Sequence, residues 1–129
     1  MLTFILKIIA IIQLILGIGY LVLPNQLLAA IGHSEVASDI LYPFGMLAAR
    51  FLVLGVVFWM ISKQAANHGL LINAMIGIQI LDLLVGIAYT INSNVDLTIS
   101  AFPMFNAILI IVCLLIWHPN KILNKKLSS

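Results

Sequence analysis

Four apolar stretches of about twenty residues each account for most of this chain, at 2–23, 44–62, 70–91 and 97–117. About 20 residues of helix cross the hydrocarbon core of a bilayer. In that medium each backbone N–H and C=O must find its partner within the protein, so a span of this length folds as helix. Of the 129 residues, 64% are hydrophobic and 8% charged. A soluble domain carries roughly a quarter charged residues, and so little polar surface could not cover a water-soluble core. The reading is an all-α, four-transmembrane-helix bundle over 1–118, followed by a basic tail over 119–129. The length leaves no room for a second domain.

The composition also excludes some functions. No basic patch interleaved with aromatics points to nucleic acid. Cys113 is the single cysteine, so no disulfide or CxxC exchange can occur within one chain; it reads as a small packing residue. His33, His68 and His118 fall one to a connection or chain end, on two sides of the membrane, and cannot share one metal. The reading includes no metal and no cofactor. Lys7 lies inside the first apolar run rather than ahead of it, so 2–23 reads as a retained span and not a cleaved signal.

Charge placement orients the chain. Lys7, Lys63, Lys121, Lys125 and Lys126 fall at the N-terminus, the second connection and the tail. Glu35, Asp39 and Asp96 fall in the other two connections, which hold no Lys or Arg. The positive-inside rule then places both termini in the cytoplasm. Tyr20, Tyr42 and Tyr89 mark the outer ends of the spans, and Trp59 and Trp117 the inner ends, as aromatic belts do. The first outer loop, 24–42, is long enough to need structure of its own. Pro24 can open a short helix and Gly32 can end it, Ser34 or Ser38 can cap a further piece, and Leu27, Leu28 and Ile31 can lie on the bilayer surface. The loop reads as a partly helical lid. The tail, mixing lysines with Ile122, Leu123 and Leu127, reads as resting on the anionic inner leaflet. No internal repeat stands out.

Every span carries a polar residue in the band from the outer half to the middle. At about 1.5 Å per residue, Arg50 lies about 10 Å from the outer end of its stretch, Asp82 and Asn106 about 13 Å, Gln13 about 15 Å and Gln79 about 18 Å. At 100° per residue, Gln79, Asp82, Gly86 and Tyr89 share one stripe, Gln13, Gly17 and Tyr20 another, and Asn106, Cys113 and Trp117 a third. Met46, Leu47, Val53, Leu54 and Val57 flank Arg50. Polar groups facing lipid cost several kcal/mol, so these stripes are expected to face inward together. The bland reading is a buried Arg50–Asp82 ion pair, completed by the amides, that fixes which helix faces which. The functional readings are a polar pocket holding a polar or anionic head group at Arg50, or a proton relay through Asp82. Gly45, Ala48, Ala49, Leu52 and Gly55, and separately Gly69, Asn73 and Gly77, read as small-residue packing faces. Pro103 either opens the fourth helix or interrupts it, with Asp96 or Ser100 as the cap.

With Ala48-Ala49-Arg50, then Gly55, then Asp82 in the third span, the chain resembles the small four-helix bacterial membrane proteins called DoxX-like, over about residues 1–118. The resemblance implies an inner-membrane location. Some DoxX relatives are linked to quinone-dependent redox enzymes, which implies a lipid-soluble, quinone-like partner. DoxX proper favours an arginine in the first helix, where this chain has Gln13. Small multidrug transporters need a first-span glutamate that is missing here. The function read from all this is non-enzymatic: binding of a small amphipathic ligand or lipid, or service as an accessory subunit, through Arg50, Asp82, Gln13, Gln79 and Asn106. A homodimer or a membrane partner subunit fits that reading. A quinone-linked redox subunit or enzyme is the alternative, and a small dimeric transporter the second.

Overall fold

The computed structural model describes residues 1–33, 38–92 and 94–119, and among these it is all-helical. Four helices are long and apolar enough to cross a membrane. They are α1 (Leu2–Val22), α3 (Leu41–Ile61), α4 (Gly69–Ile91) and α5 (Leu97–Ile116), with a short α2 (Pro24–Ala30) between the first two. A 3-10 segment at Ser38–Ile40 leads into α3, and 3-10 turns over Ser62–Asn67, kinked at Gln64, lead out of it.

The ends follow local chemistry. Pro24 opens α2 at its first position, where a missing N–H is one of the orphans anyway. Gly32 closes it with φ 93°. The Gly32 N–H donates to the Ala29 carbonyl at 3.1 Å and the His33 N–H to the Leu28 carbonyl at 3.0 Å, the paired bonds of a Schellman end. Leu28 is buried in the protein, so it does not lie on the bilayer surface as its hydrophobicity suggested. Helix α3 begins at Leu41 rather than after Pro43, because a proline in the first turn gives up no intrahelical bond. Pro103, by contrast, stands well inside α5, which starts at Leu97 behind Asp96. Ser34, Glu35 and the basic tail lie outside the described residues.

The chain divides into two compact units. The first comprises Leu6–Lys63, and in it α1 and α3 pack antiparallel through reciprocal close approaches. A Cβ built on Gly17 would lie 2.8 Å from Leu52 Cγ and 3.0 Å from the Ala48 carbonyl oxygen. One built on Gly55 would lie 2.6 Å from Leu14 Cγ and 3.0 Å from the Ala10 carbonyl oxygen. Ala10 and Ala48 are fully buried. Each helix thus uses a glycine to seat the other's leucine, as small residues in membrane helices allow. Gly45, placed on the same small-residue face by its spacing, has nothing within 4 Å, nor has Gly77 on α4. At one end of this hairpin Tyr20 stacks on Phe44 with ring centroids 5.6 Å apart. At the other, Lys7 Nζ stands 5.5 Å from the centre of the Trp59 ring, a cation–π pair.

The second unit comprises Met1–Ile5 and the chain from Gln64 onward. Here α4 and α5 form the hairpin. Thr90 Oγ1 and Ser100 Oγ lie 2.7 Å apart near the turn. Four residues back along α4, a Cβ on Gly86 would meet Met104 Cγ at 2.8 Å, four residues on along α5. The same register runs to the far end, where His118 Nε2 lies 2.7 Å from Asn73 Oδ1. His118, placed at a chain end by the sequence, is buried.

The two hairpins share a sequence pattern. Gln13-Leu14-Ile15-Leu16-Gly17-Ile18-Gly19-Tyr20 of α1 aligns without a gap to Asp82-Leu83-Leu84-Val85-Gly86-Ile87-Ala88-Tyr89 of α4. Phe44, Met46, Ala49 and Trp59 of α3 keep their spacing in Phe102, Met104, Ala107 and Trp117 of α5. The likeness is confined to these short stretches of apolar helix. The packing does not follow the pattern throughout: Gly86 meets Met104, whereas its counterpart Gly17 meets Leu52.

Candidate functional site

Two of the five polar residues expected to converge are buried. Gln13 on α1 is 4% exposed and Gln79 on α4 is 5% exposed. Gln79 Nε2 donates to Met75 Sδ at 3.6 Å, one helical turn away. The Gln13 side-chain oxygen Oε1 is buried with no hydrogen-bond partner among the described residues. Buried polar atoms are rarely left this way, and the cost of leaving one unmade is about 1–3 kcal/mol.

The charged residues are placed differently from the expectation. Arg50 and Asp82 are both exposed, and Asn106 is half-buried. Among the described residues there is no salt bridge, and Arg50 and Asp82 belong to different compact units, so the expected ion pair between them is without support. Helical geometry explains the exposure. The buried row of α3 runs through Ala48, Gly55, Phe58 and Ile61, and a residue two positions from Ala48 is turned about 200° away. The buried row of α4 is Ile72, Met75, Ile76 and Gln79. It continues through the half-buried Leu83, Gly86 and Thr90. Asp82 and Leu83 follow Gln79 at three and four residues, both allowed spacings for one face, and packing selects Leu83. Asn106 sits beside the buried row of α5, formed by Ser100, Ala107, Ile110 and Leu114.

The shared pattern sharpens the contrast. Asp82 is the counterpart of Gln13, yet Gln13 is buried and Asp82 exposed. The neighbours repeat the difference. Ile9 is buried while its counterpart Ile78 is half-buried, and Leu16 and Tyr20 are half-buried while Val85 and Tyr89 are exposed. One row of the second hairpin is uncovered where the same row of the first is covered.

Sequence reasoning also passed over polar contacts that do form. Thr90 Oγ1 donates back to the Gly86 carbonyl at 2.7 Å or to Ser100 Oγ, and Ser100 Oγ also approaches the Asp96 carbonyl at 3.4 Å. The Ser62 hydroxyl is buried and donates to the Trp59 carbonyl at 2.7 Å. Asn73 was grouped with glycines by its spacing, and its partner His118 lies far along the chain, so only the hairpin register could have joined them. No group of three or more His, Cys, Asp or Glu among the described residues could hold a metal ion. No family model matches the chain, and no curated protein or solved structure matches it either.

Proposed function

We propose that this is a non-catalytic integral membrane protein that works by binding, through charges placed on the outside of its spans. The observation that supports the reading is that Arg50 and Asp82 are each exposed on a membrane-length helix, and neither has an ion pair within its own unit among the described residues. A charge facing hydrocarbon costs several kcal/mol. In this reading, groups from outside the chain meet them: an amphipathic ligand, a lipid or a partner subunit. The test is native mass spectrometry on protein extracted with its surrounding lipid. Wild type should retain a non-covalently bound species that R50Q and D82N lose, at unchanged helical content by circular dichroism. If wild type and both variants emerge as bare single chains of equal stability, the reading is wrong.

The resemblance to DoxX-like proteins favours a second reading, a subunit that meets a quinone-like molecule. The Gln13 oxygen, buried and without a donor among the described residues, would accept a hydrogen bond from a quinol hydroxyl.

In this proposal the protein sits in a bacterial inner membrane with both termini cytoplasmic, as the lysine placement and the aromatic ends support. In a C113A background, N25C should react with a membrane-impermeant maleimide on intact cells, and S128C only after permeabilisation. Labelling of S128C on intact cells would reverse the topology.

A further inference from the structure

We infer that the end of the first hairpin where α1 begins and α3 finishes binds one anionic phospholipid, its phosphate held between Lys7 and Lys63, with Trp59 fixing Lys7 in place. All three residues lie in one compact unit, Leu6–Lys63. The site is separate from Arg50, which stands nine residues before Trp59 on α3, and it goes beyond the binding reading above. Three observations lead to it.

The first is the level of the two cations. Gly17 meets Ala48 and Gly55 meets Ala10, so α1 and α3 pass each other residue for residue. Continued toward the start of α1, that register puts Lys7 opposite Phe58 and Trp59. Lys63 follows two residues after the end of α3 at Ile61, about 6 Å nearer the end of the hairpin. Helix α1 starts at Leu2, so Lys7 lies about 7.5 Å inside the span. One cation stands below the membrane surface and the other at it.

The second is that Lys7 is held at its depth. A lysine inside a span ordinarily runs its apolar stem out toward water. Here its Nζ stands 5.5 Å from the centre of the Trp59 ring. A cation–π contact is made to the charge as a whole, and the ammonium group has three N–H donors to offer an anion. The Ser62 hydroxyl donates to the Trp59 carbonyl at 2.7 Å, which ties the turn carrying Lys63 to the residue that holds Lys7.

The third is charge balance. The chain has four acidic residues, Glu35, Asp39, Asp82 and Asp96. Glu35 and Asp39 fall between α2 and α3, and Asp96 between α4 and α5. With each long helix crossing the membrane once, chain order alone assigns these three to the opposite side. Asp82 is nine residues from that side along α4 and thirteen from the side of Lys7. The anion that meets Lys7 therefore comes from outside the chain. A phosphate dissolved in water does not follow Lys7 below the surface, whereas a lipid phosphate sits at the interface with its chains beneath it. Ile11, one turn deeper on the Lys7 face of α1, and Met60, next to Trp59, are exposed apolar side chains for those chains to lie against. Two lysines on one head group favour a lipid of net negative charge over a zwitterionic one.

The experiment titrates lipid into the full chain in detergent micelles and counts bound lipid by native mass spectrometry. Phosphatidylglycerol and phosphatidylcholine with the same acyl chains are the probes. Wild type should bind one phosphatidylglycerol about tenfold more tightly than phosphatidylcholine, and K7Q/K63Q should lose that preference. W59L keeps both lysines and the net charge, yet should weaken phosphatidylglycerol binding roughly threefold, and W59F should weaken it less. K7R/K63R should keep the preference. W59L and K7R/K63R leave the test decisive if K7Q/K63Q loses helical content by circular dichroism. Millimolar inorganic phosphate should not displace the lipid. Equal affinity of wild type for the two lipids, a full preference in folded K7Q/K63Q, or W59L binding as tightly as wild type overturns the inference. Displacement by inorganic phosphate also overturns it, because the occupant is then a soluble anion. None of these failures touches the reading at Arg50 and Asp82.

Discussion

Gly17→Leu and Gly55→Leu should each destabilise the protein by about 1–3 kcal/mol, the usual cost of forcing extra volume into a packed site. Each glycine faces both a leucine and a backbone carbonyl of the opposite helix. The leucine can rotate away. The carbonyl cannot, so α1 and α3 would have to separate. Because the two contacts are reciprocal, the double variant should cost less than the sum of the singles, since the first separation relieves the second. Gly45→Ala and Gly77→Ala are the controls: with nothing within 4 Å of the added carbon, they should be neutral or slightly stabilising through helix propensity. Reversible unfolding in mixed micelles, followed by circular dichroism, measures all of these. Equal losses at Gly45 and Gly17 would show that the close approach is not what the glycine serves.

Gln13→Leu should stabilise the isolated chain, by about 1–3 kcal/mol, because it removes a buried acceptor that has no donor among the described residues. Few buried substitutions are expected to act in that direction. Gln79→Leu should gain less, since the Gln79 amide at least reaches the Met75 sulfur. The same unfolding measurement decides the sign. A clear loss of stability in Q13L would mean that the oxygen has a partner supplied from outside the chain. The second functional reading then gains ground, and Q13L should also shed that partner.

The four spans were legible because apolar length alone specifies them. The structural bounds of α1, α4 and α5 fall within a residue of the stretches read from the sequence. Helix α2 was legible as well, since Pro24 and Gly32 state its ends in local chemistry. Which polar residues face inward was not. On α4 the sequence offers Asp82 and Leu83 as equally good successors to Gln79, and the choice is made by what α5 brings against that face, such as Met104 at Gly86. On α3 the flanks of Arg50 are apolar all round, so the pattern holds no stripe from which to read an orientation. In spans as uniformly apolar as these, polarity tells depth but not direction.

The sequence pattern shared by the two hairpins bears on how such a chain could have arisen. A unit with an even number of crossings returns to the side of the membrane it left, so a second copy fused behind it enters in the same orientation with no change in its flanking charges. Duplication of a two-helix ancestor would therefore have been topologically free. Once fused, the halves could diverge. The aligned positions Gln13 and Asp82 already differ in charge. On this view each hairpin could take up a role of its own.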